Sequence, residues 1–299
     1  MRWRAALYVL PAAFVAAPTR AHFESSEVGV RAQALGDNFV AAADDPSALY
    51  WNPAGLARLP QHEALLTVEY APELEGLRRN FAALVLHTQA VSVGAGWNAV
   101  RLEDALQEDL FYVSLSRTVV QRSLGAYIAV GASLKVAHVG LEPGDLAGMV
   151  GLRTDESHAA ADVGVLLAPI PNVTAGVIYR NLGRPQFDLV DGGTKTTLED
   201  ELEWGFSFRW TESARLHYSR VHHAGRGPEN KLGIEVAVGD VVDVGIGVAP
   251  DEVSGGVGVR WRTWKFESSF QAHAELGLVS RAGLRWSFGA DRSVGLNGF

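Results

Sequence analysis

The stretch Leu202-Glu203-Trp204-Gly205-Phe206-Ser207-Phe208-Arg209-Trp210 alternates apolar and polar residues without a break. Leucine and aromatic residues occupy one set of alternate positions, whereas glutamate, glycine, serine and arginine occupy the other. A period of two indicates a β-strand with one apolar and one polar face. The same period recurs from Gln61 almost to the end of the 299-residue chain, so the sequence predicts an all-β protein.

Fourteen segments with this period can be marked along the chain. Their predicted ranges are 62–70, 79–87, 90–100, 109–117, 125–138, 157–168, 171–180, 201–210, 213–221, 230–238, 241–249, 254–262, 263–272 and 278–288. Connections after even-numbered strands are mostly tight, and those after odd-numbered strands are longer. An even strand number with short turns on one side and longer loops on the other is typical of single-chain bacterial barrels. We therefore predict an antiparallel transmembrane β-barrel of about fourteen strands.

The alternation also assigns the two faces of the barrel wall. In such a barrel the apolar row meets lipid and the polar row lines the lumen. The predicted lumen-facing polar residues are Glu203, Arg209, Arg260 and Arg285. Alternation alone is equally compatible with a water-soluble sandwich, in which the apolar row would face inward.

The first residues have the anatomy of a secretory signal. Arg2 and Arg4 precede an apolar run from Ala5 to Ala17, and small residues precede a cleavage point after Ala21. The run is shorter than the roughly 20 residues that a spanning helix needs. We predict a signal peptide over 1–21, a plug segment over 22–61, the barrel over 62–288 and a short tail over 289–299.

The plug segment is rich in alanine and bounded by turn residues. Phe39, Val40 and Ala43 have helix-like spacing, and Asn52-Pro53 favours a turn. A fourteen-stranded barrel has a lumen wider than its own side chains can fill, since roughly eight strands suffice for that. The sequence predicts that this segment fills the lumen. It is compatible with a small helical lid held by packing alone and with a hatch whose polar groups meet charges on the wall.

The sequence of the plug segment resembles the N-terminal signature of FadL-like outer-membrane barrels, most closely the PorV/PorQ branch. The resemblance is carried by Ala34-Leu35-Gly36, by Phe39-Val40-Ala41 and by the run from Ala43 to Leu56. It implies location in the outer membrane of a Gram-negative (diderm) bacterium and contact with outer-membrane lipid. The hatch motif that it implies comprises Asp44, Asp45, Ser47, Tyr50, Trp51, Asn52, Pro53, Ala54 and Gly55.

The last predicted strand carries a second resemblance. Gly283, Trp286 and Phe288 match the spacing of the C-terminal strand by which the barrel-assembly machinery recognises outer-membrane proteins. The resemblance implies that this machinery is a partner. The residues from Gly289 to Phe299 depart from the pattern, because the signal usually stands at the extreme terminus.

Composition and motif searches exclude several classes of function. The chain has no cysteine, and its net charge of −8 argues against a nucleic-acid partner. No nucleophile elbow, zinc-protease motif or phosphate loop occurs. His222-His223 lacks a nearby third metal ligand. Glu201 and Glu203 lie on the same strand face, and ion pairing with Arg209 and Arg215 is the role that we predict for them. We therefore predict a protein that is not an enzyme and has no cofactor or metal.

Three functions remain open. The first is a PorV/PorQ-type barrel that is associated with secretion and binds an exported protein cargo or another partner. The second is a FadL-type transporter for hydrophobic small molecules, in which Gly94 and Gly96 could kink the third strand and open the wall. The third is a periplasmic all-β binding or scaffold protein.

Overall fold

The computed structural model describes residues 27–74, 76–88, 90–103, 106–122, 125–141, 155–188, 195–224, 227–274 and 277–289. These residues form one closed antiparallel barrel around a small helical segment. The predicted signal peptide, residues 22–26 of the predicted plug segment and most of the predicted tail lie outside the described residues.

The sixteen strands of the described residues fall into a barrel and a small hairpin. The strands are β1 (His62–Tyr70), β2 (Leu77–His87), β3 (Ser92–Leu102), β4 (Leu106–Gln121), β5 (Tyr127–Leu141), β6 (Asp155–Ile170), β7 (Val173–Leu182), β8 (Gln186–Phe187), β9 (Thr196–Thr197), β10 (Glu201–Arg209), β11 (Ala214–His223), β12 (Glu229–Val238), β13 (Val242–Ala249), β14 (Glu252–Trp261), β15 (Trp264–His273) and β16 (Gly277–Phe288). All except β8 and β9 belong to the barrel, which confirms the predicted fourteen-stranded fold.

Each barrel strand pairs with its neighbours in the chain, and β7 pairs with β10 because β8 and β9 form a separate two-stranded sheet. The first and last strands close the ring. Their register runs from His62 opposite Phe288 to Tyr70 opposite Ser280. We call this β1–β16 ladder the seam.

The two mouths of the barrel differ in their connections. At one mouth, the turn end, β6 joins β7 through 171–172 and β14 joins β15 through 262–263. At the other mouth, the loop end, the connection 183–200 carries the β8–β9 hairpin. The difference in length is smaller than predicted, because β13 and β14 continue to a connection of only 250–251 at the loop end.

The outer surface of the wall is apolar. Leu232, Ile234 and Phe206 point outward, and Leu232 is 58% exposed. Such a belt excludes a water-soluble sandwich and is typical of a barrel embedded in lipid. Trp210, Trp261, Trp264 and Trp286 lie near the turn end, where barrels place an aromatic girdle. Within the described ranges, no helix has the length and apolar character that crossing a bilayer requires.

The lumen is filled by residues 28–59, which we call the hatch. The hatch contains helix α1 (Val30–Ala34), helix α2 (Ala48–Trp51) and a 3₁₀ helix (Pro53–Arg58). Residues 39–43, which the sequence predicts to be helical, form turns instead. The reason is local, since Gly36 and Asp37 both have positive φ and end the helical path after α1.

Candidate functional site: the hatch within the lumen

Asn52 fastens the hatch to the wall. Its Oδ1 accepts a hydrogen bond from the Ala54 amide at 3.1 Å, which caps the 3₁₀ helix. Its Nδ2 donates to the carbonyl oxygens of Val40 at 3.0 Å and Val165 at 3.2 Å. Pro53 occupies the first turn of the 3₁₀ helix, where a missing N–H costs little. One side chain therefore joins two parts of the hatch to β6.

Inward-facing glycines allow the hatch to touch the wall backbone. A Cβ at Gly164 would lie 2.1 Å from Asn52 Oδ1, and one at Gly131 would lie 2.4 Å from the Ala54 nitrogen. On the opposite wall, a Cβ at Gly247 would lie 1.9 Å from the Gly36 nitrogen. Within the hatch, a Cβ at Gly55 would lie 1.9 Å from the Ala43 oxygen. Any larger residue at these positions would displace the hatch.

The inner faces of β1–β6 hold a buried apolar cluster, for which we call them the apolar half of the lumen, and they also carry buried charges such as the Lys135–Asp162 pair at 2.8 Å. Wall residues and hatch residues share one buried cluster there, and the hairpin residues Phe187 and Leu198 belong to it. The wall residues of the cluster are Leu65, Phe81, Ala83, Val85, Leu110, Tyr112, Ala137, Val139 and Ala160. The 3₁₀ helix packs against β2–β6 on this side, and its Leu56 is fully buried.

The inner faces of β7 and β10–β16 form the charged half of the lumen. Arg180 on β7 donates to the carbonyl oxygens of Tyr50 at 3.2 Å and Trp51 at 3.1 Å. The same guanidinium pairs with Glu203 at 2.9 Å and with Glu201. The predicted partners of these two glutamates, Arg209 and Arg215, are therefore wrong, because Arg180 stands beside them on the neighbouring strand.

Helix α1 is held to the charged half by an ion network. Arg31 pairs with Asp44 of the hatch, and its Nη2 lies 2.8 Å from Glu235 Oε2 on β12. Arg215 lies 3.8 Å from both Asp44 and Glu235. Burial disfavours the ionised form of Asp44, but the charges of Arg31 and Arg215 outweigh it and lower the pKa of this carboxyl.

Two arginines of β16 join the hatch to the seam. Arg285 lies 3.8 Å from both Asp45 of the hatch and Glu63 of β1. Arg281 Nη1 donates to the Gly29 carbonyl oxygen at 3.0 Å, and its Nε donates to Glu69 of β1 at 3.0 Å. Arg281 and Arg285 therefore each contact both the hatch and β1, which links the hatch to the two strands of the seam.

A layer of neutral polar side chains joins α1 and Gly36 to β14 and β15. Gln33 donates to Gln271 at 3.0 Å and accepts from the Ser269 hydroxyl at 2.6 Å. The Gly36 amide donates to the Ser254 hydroxyl at 2.9 Å. All four side chains are buried, so this layer closes the lumen on the charged side.

Cavities remain on both sides of the hatch. One of about 240 Å³ opens at the loop end above Tyr50 and Trp51. Two others of about 340 Å³ and 420 Å³ open at the turn end, and both are lined by Asp44 and Arg215. None of these three cavities is lined by residues from both mouths, so none of them runs past the hatch from the loop end to the turn end.

The structure places the remaining predicted hatch residues as follows. Asp45 accepts from the Ser47 amide at 2.8 Å and from its hydroxyl at 2.6 Å, so it orders the turn before α2. Trp51 donates through Nε1 to the Val28 carbonyl oxygen at 2.7 Å. Tyr50 lies beside Trp51 with ring centroids 5.0 Å apart.

The predicted lumen residues divide into two groups. Glu203 and Arg285 are buried in the networks described above. Arg209 lines the larger turn-end cavity, and Arg260 lies 4.0 Å from Asp243 at the turn end. Of the three arginines expected to meet the hatch carboxylates, only Arg285 does so among the described contacts. Arg31 and Arg215 take the places of the other two.

The residues of the predicted assembly signal lie on β16. Trp286 faces outward and stacks on Phe288 with centroids 4.6 Å apart. Gly283 faces inward, where a Cβ would lie 2.7 Å from Val30 of the hatch. Recognition by the assembly machinery stays a prediction.

Gly94 and Gly96, which could kink the third strand, lie in ladders of regular register. The β2–β3 and β3–β4 ladders run through both residues without a register shift. Leu49 of the hatch packs against these glycines instead. Among the described residues, no group of three or more histidine, aspartate or glutamate side chains could hold a metal ion.

Sequence comparisons find no matching family model and no matching curated protein. Structure comparisons find barrels of the same architecture. The CymD monoaromatic hydrocarbon channel is 13% identical, with a TM-score of 0.64 over 88% of this chain and 98% of that chain. A Pseudomonas aeruginosa FadL homologue is 12% identical, with a TM-score of 0.62 over 88% and 98%. The Pseudomonas putida toluene transporter TodX is 11% identical, with a TM-score of 0.59 over 89% and 99%.

At these identities the likeness shows the fold alone, which this chain shares with the three barrels named above. The similar structures reported above are channels and transporters rather than enzymes. None of them is described as a PorV/PorQ protein, so that finer assignment rests on the hatch signature alone.

Proposed function

We propose that this protein is a FadL-type channel that carries small hydrophobic molecules across the outer membrane. The observation that carries the proposal is the apolar half of the lumen. The inner face of a water-filled barrel is polar. Here Phe81, Leu110 and Val139 point inward and are buried in one apolar cluster with the hatch. Such a surface favours apolar solutes by the hydrophobic effect.

The β8–β9 hairpin covers this surface at the loop end. Phe187 is 1% exposed and packs edge-on against His158 with ring centroids 4.9 Å apart. Leu198 is also buried, and its amide donates to the Pro185 carbonyl oxygen at 2.9 Å. An apolar molecule that replaces Phe187 would keep the cluster dry, so the hairpin forms the entrance on this side.

The fold and its surface support the proposed location. The apolar outer belt requires lipid, and the similar structures that we report include hydrocarbon channels. Export through the signal peptide at 1–21 and insertion by the assembly machinery are parts of the same proposal. The loop end then faces outward and the turn end faces the periplasm.

The test is uptake of radiolabelled toluene by Gram-negative cells that express the protein. We expect uptake above that of cells carrying an empty vector. Leu110→Asn, which puts an amide in the apolar half, should lower uptake several-fold because it penalises burial of an apolar solute. The matched control is Val279→Asn, which makes a comparable change on the inner face of β16.

Both variants must first show the anomalous gel mobility of a folded barrel before boiling. Uptake equal to that of empty-vector cells would contradict the proposal. Equal loss in Leu110→Asn and Val279→Asn would contradict the assignment of the path to the apolar half.

A further inference from the structure

The loop-end cavity above Tyr50 and Trp51 is lined by more carboxylates than permanent cations. Four cations, Arg79, Arg180, Lys231 and Arg281, belong to the described lining. The six carboxylates of that lining are Glu27, Glu201, Glu203, Glu229, Asp251 and Glu252. Six carboxylates against four permanent cations give the lining an excess of negative charge, and His223 lies 3.2 Å from Glu201.

The cations of the lining already have carboxylate partners. Lys231 Nζ lies 3.2 Å from Glu27 Oε1. Arg79 lies 3.1 Å from Glu69, to which Arg281 also donates, and Glu69 lies outside the lining. Arg180 is shared between Glu201 and Glu203. These ion pairs neutralise the cations of the lining, so the remaining carboxylates dominate the electrostatic potential of the cavity.

Two of the carboxylates retain capacity for a cation. Glu203 is fully buried, and its Oε1 has no hydrogen-bond partner, whereas its Oε2 accepts from Arg180. Glu252 accepts from the Gln271 amide at 2.5 Å and stands opposite His273 in the β14–β15 ladder. A buried carboxylate oxygen without a donor is costly, and a ligand N–H group would remove that cost.

The floor of the cavity is aromatic. The Arg180 guanidinium lies 5.1 Å from the centre of the Tyr50 ring, and Lys231 Nζ lies 5.7 Å from that of Trp51. Both distances are typical of cation–π contacts, so these rings lie in surroundings that already hold cations. Tyr50 and Trp51 also pack into the apolar cluster. The floor thus joins the negative cavity to the apolar half.

We infer that this cavity holds the ammonium group of a hydrophobic amine whose apolar body lies against the apolar half of the lumen. The inference rests on the proposed function and names the preferred class of solute. A carboxylate on the same apolar body would face the excess negative charge. An uncharged hydrocarbon would bind through the apolar half alone.

The experiment is isothermal titration calorimetry on the purified full chain in detergent at pH 7. The probes are phenethylamine, 3-phenylpropionate, ethylbenzene and ammonium chloride. We expect phenethylamine to bind about tenfold more tightly than ethylbenzene, since a hydrogen bond between charged groups contributes that much. Phenylpropionate should bind most weakly of the three aromatic probes, and ammonium chloride should show no binding in the same range.

Variants assign the preference to the cavity. Glu252→Gln should remove most of the advantage of phenethylamine while leaving the affinity for ethylbenzene unchanged. Glu203→Gln should do the same if Arg180 keeps its contacts to Glu201 and the hatch. The matched control is Glu63→Gln, because Glu63 is also a buried carboxylate with an unpartnered oxygen but contacts Arg285 at the turn end.

The outcomes separate the two proposals. If ethylbenzene binds and phenethylamine binds no better than phenylpropionate, the inference is overturned and the proposed function stands. If none of the aromatic probes binds, both are overturned. Equal binding of ammonium chloride and phenethylamine would also overturn the inference, because the apolar body would then contribute nothing.

Discussion

The apolar half and the charged half of the lumen hold the same hatch by different means. On β2–β6 the 3₁₀ helix lies against small and apolar side chains, and the directional contacts include Asn52 to Val165 and the Ser116 hydroxyl to the Ala54 carbonyl oxygen. On β12–β16 helix α1 is held by Arg31, Arg281 and a layer of neutral polar side chains. The two interfaces should therefore respond to different perturbations.

The two interfaces respond differently because one is held by apolar packing and the other by ion pairs. Apolar contacts depend on area and packing, so a truncation leaves a cavity that neighbours can partly fill. A buried ion pair depends on both partners, so removal of one leaves an uncompensated charge. The charged half is thus the side on which a single substitution releases the hatch most readily.

The largest effect is expected from Arg31→Met. The change leaves Asp44 and Glu235 with Arg215, at 3.8 Å from each, as their nearest remaining arginine. Breaking a buried pair on one side costs about 4 kcal/mol. Hydrogen exchange of peptides from 28–36 should become faster accordingly, and ion conductance in planar bilayers should rise.

The double variant Arg31→Met with Glu235→Leu sharpens this test. It removes both charges of the pair, so most of the lost protection should return. If the double variant exchanges as fast as Arg31→Met alone, the loss comes from packing of the arginine stem, and the charged half is misdescribed.

Leu56→Ala should cost about 3 kcal/mol on the apolar half, since it truncates a fully buried leucine. Exchange should accelerate in peptides from 52–59 and show no dependence on salt concentration. Leu232→Ala on the lipid face is the control and should leave hatch exchange unchanged. If Leu56→Ala accelerated hydrogen exchange only in peptides from 28–36, the division of the lumen into an apolar and a charged half would be wrong.

Asn52→Ala should have a smaller effect of about 2 kcal/mol, because it leaves the Val40 and Val165 carbonyl oxygens without this donor. We expect a rise in bilayer conductance without loss of the folded barrel on unboiled gels. Conductance equal to that of the wild type would show that the side chain does not secure the hatch.

The smallest effect is expected from acidification. The lowered pKa of Asp44 means that its ionised form stabilises the folded hatch above the unfolded pKa near 3.9. This stabilisation is lost as pH falls through the lower folded pKa. After correction for intrinsic exchange, 28–36 should lose protection below about pH 4 before 52–59 does. The effect is small because the Asp44 side chain is 42% exposed, and Asp44→Asn should abolish the difference.

The strands could be predicted because alternation is a local property. Each predicted range overlaps the observed strand, from β1 to β16, since one face meets lipid along the whole wall. The hairpin β8–β9 escaped prediction because strands of two residues carry no period.

The contacts of the hatch could be predicted only in part. The register between strands decides which inward side chains are neighbours. The sequence therefore could not show that Arg180, rather than Arg209, pairs with Glu201 and Glu203. The glycines that the hatch touches can be recognised in the sequence, because Gly131, Gly164 and Gly247 occupy inward positions of otherwise regular strands. Their meaning requires knowing which backbone approaches them.

The seam has a consequence for how the molecule is assembled. The β1–β16 ladder joins the strands farthest apart in the chain, so its loop-closure entropy is the largest in the barrel. Arg281 and Arg285 satisfy that ladder and the hatch together. A ring that closed around an empty lumen would leave Arg281 without the Gly29 carbonyl oxygen and Arg285 without Asp45. We therefore expect the hatch contacts to favour closure, and a chain whose hatch is misplaced should remain an open sheet for longer.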